Sequence, residues 1–111
     1  MFGSFYRPAN SPPYILDSIT NSISLAKDTG ISDIIVTGDF NLDMSNPSSA
    51  RKIDSILQQY NLSQLIQDPT HFTETSATLI DLYMVYSPDS VLECGVGEPF
   101  LDQTIRYHCP V

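Results

Sequence analysis

Leu16, Ile19, Ile23 and Ala26 recur at helical spacing, while Asn21, Ser22 and Lys27 fall off that stripe. The pattern predicts an amphipathic helix from Pro12 to Asp28. Ser11 offers a cap, Pro12 suits the first turn, and Gly30 is a natural stop. A second stripe, Ile53, Ile56, Leu57 and Tyr60, predicts a helix capped by Ser48 or Ser49 and closed at Asn61 by a left-handed residue. Between the two helices stands an unbroken apolar run, Ile34-Ile35-Val36, which reads as a strand over Asp33 to Thr37 buried on both faces. Phe2 to Tyr6 is short, aromatic and bounded by Pro8, and reads as an earlier strand. Strand, helix and strand in that order predict a right-handed crossover joining two parallel strands.

The second half is less periodic. Asp43 to Ser49 is a polar loop turning at Asn46-Pro47, and Leu62 to Ile66 a short extended piece. Asp68 to Ser76 is turn-rich and broken by Pro69, which places His71 in a solvent-exposed loop. Thr78 to Tyr86 is rich in β-formers and predicts one strand. After a turn at Ser87-Pro88-Asp89-Ser90, Val91 to Val96 predicts its hairpin partner. Gly97 to Thr104 reads as loop, and Ile105 to Val111 as a last strand. The fold class is α/β, and 111 residues hold one domain at most.

Composition narrows this picture. No apolar run is long enough for a transmembrane helix, and Met1 to Pro13 lacks the basic and apolar regions of a signal peptide. Cys94 and Cys109 lack metal-type spacing; two free thiols in a reducing compartment are expected, with a disulfide as the alternative. The net charge is −8, from 13 acids against five bases. That balance opposes independent nucleic-acid binding, because phosphate contacts need Lys and Arg.

The candidate chemistry sits where the apolar run ends. Asp39 and Asn41 follow Thr37-Gly38 at once. If the strand extends that far, period two points both side chains the same way, at the strand end where open α/β sheets place ligands. A carboxylate beside a carboxamide suits positioning a metal-bound water against a phosphate; the same letters also spell an ordinary Asx turn. Tyr6 and Asn10 could hold a phosphate oxygen, or could be a core aromatic and a proline turn. Asp81 is an acid inside an apolar strand, which is costly without a partner, with His108 the natural candidate; the same letters also fit an acid facing solvent on the polar side of an amphipathic strand and a lone strand histidine. An imidazole oriented by a carboxylate stabilises charge or moves a proton.

Five segments share order and spacing with a known family. They are Tyr-Arg-Pro-x-Asn at 6–10, Ile-Ile-x-x-Gly-Asp-Phe-Asn at 34–41, Gln-Leu-Ile-x-x-Pro-Thr at 64–70, Ser-x-Thr-Leu-Ile-Asp at 76–81, and His-x-Pro-Val at 108–111. With them the chain resembles the endonuclease/exonuclease/phosphatase superfamily, nearest to the apurinic-type endonuclease domain of non-LTR (LINE-like) retrotransposons. The resemblance spans almost the whole chain but only the C-terminal half of the family domain. It implies half of a DNase I-like two-sheet α/β sandwich, so that residues 1–111 are a partial domain whose N-terminal half is missing.

The resemblance also implies roles. Asp39 matches the aspartate that activates the attacking water and anchors metal. Asn41 matches the asparagine that positions water and phosphate. Tyr6 matches a phosphate-contacting tyrosine, and Asn10 more loosely a second polar contact. Asp81 matches the aspartate that orients the catalytic histidine, and His108 matches that histidine. The implied reaction is Mg²⁺-dependent nicking of DNA, with the main metal ligands in the missing half. The implied setting is intracellular, nuclear for an active retroelement protein, with a downstream reverse transcriptase as a partner and no membrane. Two departures stand out: Tyr107 replaces the acid usual before His108, and His71 the arginine usual after Pro-Thr. A phenol is neutral near pH 7 and cannot serve as a charged metal ligand. A degenerate, inactive fragment and a phosphomonoesterase of the same superfamily are the alternatives.

Overall fold

The computed structural model describes residues 1–99 and 106–111. Part of the expected 97–104 loop and the expected strand start at Ile105 lie outside the described residues. Strand β1 (Phe2–Tyr6) leads to helix α1 (Pro13–Asp28), strand β2 (Ile35–Asp39) and helix α2 (Pro47–Tyr60). Short strands β3 (Ser63–Gln64), β4 (His71–Thr73) and β5 (Ala77–Thr78) follow, then β6 (Asp81–Val85), a 3₁₀ turn at Pro88–Ser90, and β7 (Arg106–His108). A four-stranded sheet has the order β1-β2-β6-β3, and a three-stranded sheet the order β5-β4-β7. The architecture is mixed α/β, with β1 and β2 parallel as expected and β6 antiparallel to β2.

Both helices lie where their apolar stripes put them. Ile19 and Ile23 of α1, with Ile53 and Ile56 of α2, are buried in one core with Val36, Leu82 and Met84 of the sheet. The caps differ from the sequence reading. Ser11 turns back to the Pro8 carbonyl, and the residue before α1 is Pro12, without a side-chain cap. At α2 the cap is Asn46, not Ser48 or Ser49: its Oδ1 accepts from both of their amides, at 2.9 and 3.2 Å. Pro47 has no N–H to satisfy, so the acceptor is best placed one residue before it. Asn61 closes α2 with φ 53°, the left-handed residue expected there. Lys27 ties the helices together, donating to the Tyr60 carbonyl at 3.2 Å, where a cation also suits the end of α2.

Three expectations are corrected. The strand after α1 begins and ends two residues later than expected, and Ile35 is only half-buried while Ile34 and Val36 are buried. Only one face of β2 is therefore packed. Second, Thr78 to Tyr86 is not one strand. It breaks at Leu79 and Ile80, and its two parts join different sheets. Side-chain oxygens serve the amides at the break: Asp43 Oδ1 accepts from Leu79 at 3.1 Å, and Thr70 Oγ1 from Ile80 at 3.3 Å. Third, Val91 to Val96 forms no strand. A hairpin partner for β6 has no edge to occupy, since β2 and β3 already flank it.

Gly38 fixes the approach of β1. Its φ is 145°, and a Cβ there would lie 1.8 Å from the Phe5 carbonyl oxygen. Only glycine lets the two parallel strands close at this point.

Candidate active site

Register brings the chemistry together. Tyr6 is the Cα partner of Asp39 across β1 and β2, and Asp39 is the partner of Asp81 across β2 and β6. Three side chains from three strands thus stand side by side on the sheet face opposite the helices. The second sheet supplies the fourth. β7 pairs with β4, and His108 reaches Asp81 with Nδ1 2.8 Å from Oδ2. An ionised carboxylate only accepts, so His108 Nδ1 carries the proton and Nε2 is left for other work. That nitrogen lies 4.0 Å from Asp39 Oδ2. The separation is too long for a direct hydrogen bond, and an oxygen atom seated beside the line between them would touch both. The His108 side chain is 44% exposed, against 18% for Asp39 and 17% for Asp81. The imidazole is the accessible member of the group.

Burial raises the Asp39 pKa above the ordinary carboxylate value, and the Asp81 charge beside it pushes the same way. The Asn41 amide, His108 and His71 act against this without cancelling it. A carboxylate held more basic than usual is a better acceptor for a proton taken from water.

Asn41 is not placed as period two suggests. β2 ends at Asp39, and Asn41 takes φ 48°. Its amide donates to Asp39 Oδ1 at 2.9 Å, so this stretch is an Asx turn, and its side-chain amide donates to the Arg7 carbonyl at 2.7 Å. The turn and the cluster share Asp39. Tyr6 is exposed at the rim. Asn10 is exposed with φ 58° and forms no hydrogen bond with Asp39, Asp81 or His108 among the described residues.

His71 is buried rather than solvent-exposed. It pairs directly across from His108, with ring centroids 4.5 Å apart. The loop expected there is a hairpin instead. Thr73 donates from its amide to the Ser76 carbonyl at 2.9 Å, and the two hydroxyls meet at 2.6 Å. Tyr107 lies on the other side of β7 from His108 by strand alternation, and its ring stacks on Phe72 at 5.1 Å. An acid at that position in this strand would point away from the cluster.

Sequence reasoning gave no role to Thr70 or Arg7. Thr70 is fully buried, and its Oγ1 also accepts from the Asp81 amide at 3.0 Å, while its carbonyl accepts from the Cys109 amide at 2.7 Å. It therefore pins the backbone at Asp81 and at the residue after His108. Its signal in the sequence is its place at the end of the Gln-Leu-Ile-x-x-Pro-Thr segment, which says nothing of these bonds. An apolar recess of about 190 Å³ lies at the far end of β1 and β2, between Met1, Phe2, Ile23 and Ile34, away from the cluster.

Asp39, Asp81 and His108 each offer a ligand atom, all within 4.8 Å of one another. Mg²⁺ is held by carboxylates, water and phosphate in a near-octahedral shell, while imidazole suits transition ions better. Here the Asp81 oxygen is already bonded to His108. The donor set does not select Mg²⁺. Both cysteines are free thiols. Among the described residues no helix is long and apolar enough to cross a membrane. Comparison with protein-family models, with curated proteins and with solved structures finds no match.

Proposed function

We propose that this chain carries the phosphodiester-hydrolysing rim of an endonuclease/exonuclease/phosphatase-type domain, one part of a DNase I-like sandwich that nicks DNA for a non-LTR retroelement. The observation that supports it best is the Asp81–His108 hydrogen bond with the second imidazole nitrogen turned toward Asp39. In this reading water attacks phosphorus in line, the P–O bond to the departing strand breaks, and the departing oxygen takes a proton from solvent. Asp39, held basic by burial, takes the proton from that water. His108, protonated on both nitrogens, donates from Nε2–H to the phosphoryl oxygens as charge builds, and Asp81 keeps its ring in place by accepting from Nδ1–H. Tyr6 contacts the phosphate from the neighbouring strand, Asn41 holds Asp39 through the turn, and Asn10 is an outer polar contact. Mg²⁺, when bound, would neutralise phosphate charge, with Asp39 its anchor here and further ligands on an N-terminal half of the domain. DNA, that half, a downstream reverse transcriptase and a nuclear location belong to the same proposal.

A second reading has its own support. Tyr107 is committed to Phe72, and the net charge of −8 repels DNA. The chain is then an inactive relative with no turnover. Nicking of supercoiled plasmid with Mg²⁺ against EDTA separates the two, with a small phosphate monoester assayed beside it. The proposal expects background nicking from this chain alone. It expects Mg²⁺-dependent nicking, lost in His108→Ala, once a family N-terminal half is joined to it. A joined protein that is folded and silent would support the second reading, and one that cleaves only the monoester would make the chain a phosphatase.

A further inference from the structure

Arg7 carries a permanent charge and is buried, at 8% exposure. No carboxylate among the described residues pairs with it. Its Nη1 donates to the Phe40 carbonyl at 3.4 Å and its Nη2 to the Ser11 carbonyl at 3.1 Å, while Nε is buried with no acceptor. Its own backbone is engaged with the same turn. The Arg7 amide donates to the Asp39 carbonyl at 2.8 Å, and the Arg7 carbonyl accepts from the Asn41 side chain at 2.7 Å. One residue thus bonds Asp39, Phe40 and Asn41 in succession, and reaches forward to Ser11 as well.

A guanidinium buried against carbonyls alone, with one donor idle, is a poor source of stability. An apolar side chain of similar volume would fill the space without that cost. What the guanidinium adds is direction: a planar fork holds two carbonyls at fixed angles, which neither an ammonium nor a methyl group does. The carbonyls belong to the two segments that carry Asp39 and Tyr6.

We propose that Arg7 is a positioning residue, whose buried fork fixes the Asp39–Asn41 turn and so sets the Asp39 carboxylate against His108. Its relevance to catalysis rests on the reading of Asp39 and His108 as the reacting pair, but its structural effect can be read without turnover. The test is amide hydrogen exchange on the full ¹⁵N-labelled chain, comparing the parent with Arg7→Leu and Arg7→Lys. The Asn41 amide, bonded to Asp39 Oδ1, reports the turn; the Val36 and Met84 amides report the sheet. In Arg7→Leu, Asn41 should lose about tenfold more protection than Val36 and Met84, the scale of one charge-assisted bond. Arg7→Lys keeps the charge and can hold one carbonyl, so its loss should be local and smaller. A merely stabilising residue would lower protection by the same factor at all three amides. That result, or an unchanged Asn41, overturns the proposal. Should Arg7→Leu fail to fold, Arg7→Lys is judged by the same local-against-uniform criterion. A chain that never nicks DNA still decides this question.

Discussion

Two consecutive rungs of the four-stranded sheet are one residue apart and do opposite work. Phe5, Gly38 and Leu82 form one rung, and Tyr6, Asp39 and Asp81 the next. In the first, Leu82 is wholly buried under the helices and Gly38 admits β1 at a distance that excludes any side chain. In the second, the pleat has turned the side chains to the face opposite the helices, where Tyr6 is 68% exposed and two carboxylates flank each other. Substitution in the first rung should therefore remove the fold. In the second it should remove the chemistry and leave the fold standing.

The sharpest way to break that contrast is Gly38→Ala. The added carbon meets backbone, not the end of a flexible side chain, at a φ that L residues rarely adopt. The expected loss is about 4 kcal/mol or more, enough to abolish a cooperative urea transition in a chain of this size. A normal transition would mean that β1 is held by something other than this close approach.

Thr70→Val comes next. It keeps the shape but takes the acceptor from the Ile80 and Asp81 amides. The expected cost is about 1–3 kcal/mol in a denaturant titration, since one buried and one partly buried N–H lose their acceptor. An unchanged midpoint would show that the break between β5 and β6 does not depend on that hydroxyl.

These two residues also show what could be read from sequence and what could not. The stripes of α1 and α2, the crossover between β1 and β2, and Asn61 as a left-handed cap were legible because periodicity and local turn chemistry determine them. The pairing of Asp81 was half legible: a carboxylate in an apolar strand calls for a partner, but the letters fit a solvent-facing acid equally well, and the fold is what sets His108 2.8 Å from it. The break at Leu79 and Ile80 was not, because their amides are served by Asp43 and Thr70, which lie 36 and 10 residues away. The burial of His71 was hidden for a similar reason. A three-residue strand becomes a strand only when β5 and β7 pair on either side of it. The role of Arg7 lies in backbone carbonyls, which leave no trace in the letters.

Asp39→Asn gives the smallest stability effect and the one whose sign separates the rungs. Burial first, and then the Asp81 charge, hold the Asp39 pKa above its ordinary value. The folded state therefore binds this proton more tightly than the unfolded chain. The stability it contributes is present below the ordinary carboxylate pKa and is lost as pH rises through the higher folded value. Near pH 7 the folded protein carries a charge that it disfavours. The amide has no such charge and keeps an oxygen for the Asn41 N–H. Asp39→Asn should thus melt above the parent near pH 7, with the advantage gone by about pH 3. A variant less stable than the parent near pH 7 would show Asp39 to be a structural residue of the first kind.

The chemistry of the site depends most on how His108 is held. In the neutral ring the hydrogen bond to Asp81 requires the proton on Nδ1 and leaves Nε2, the site that a second proton would take, toward Asp39. The measurement is the long-range ¹H–¹⁵N spectrum of the imidazole, at a pH where the ring is neutral, in the parent and in Asp81→Asn. The account predicts the Nδ1–H form in the parent and a shift toward the Nε2–H form in the folded variant, whose amide can donate to Nδ1. An Nε2–H ring in the parent, or a tautomer indifferent to Asp81, would contradict it.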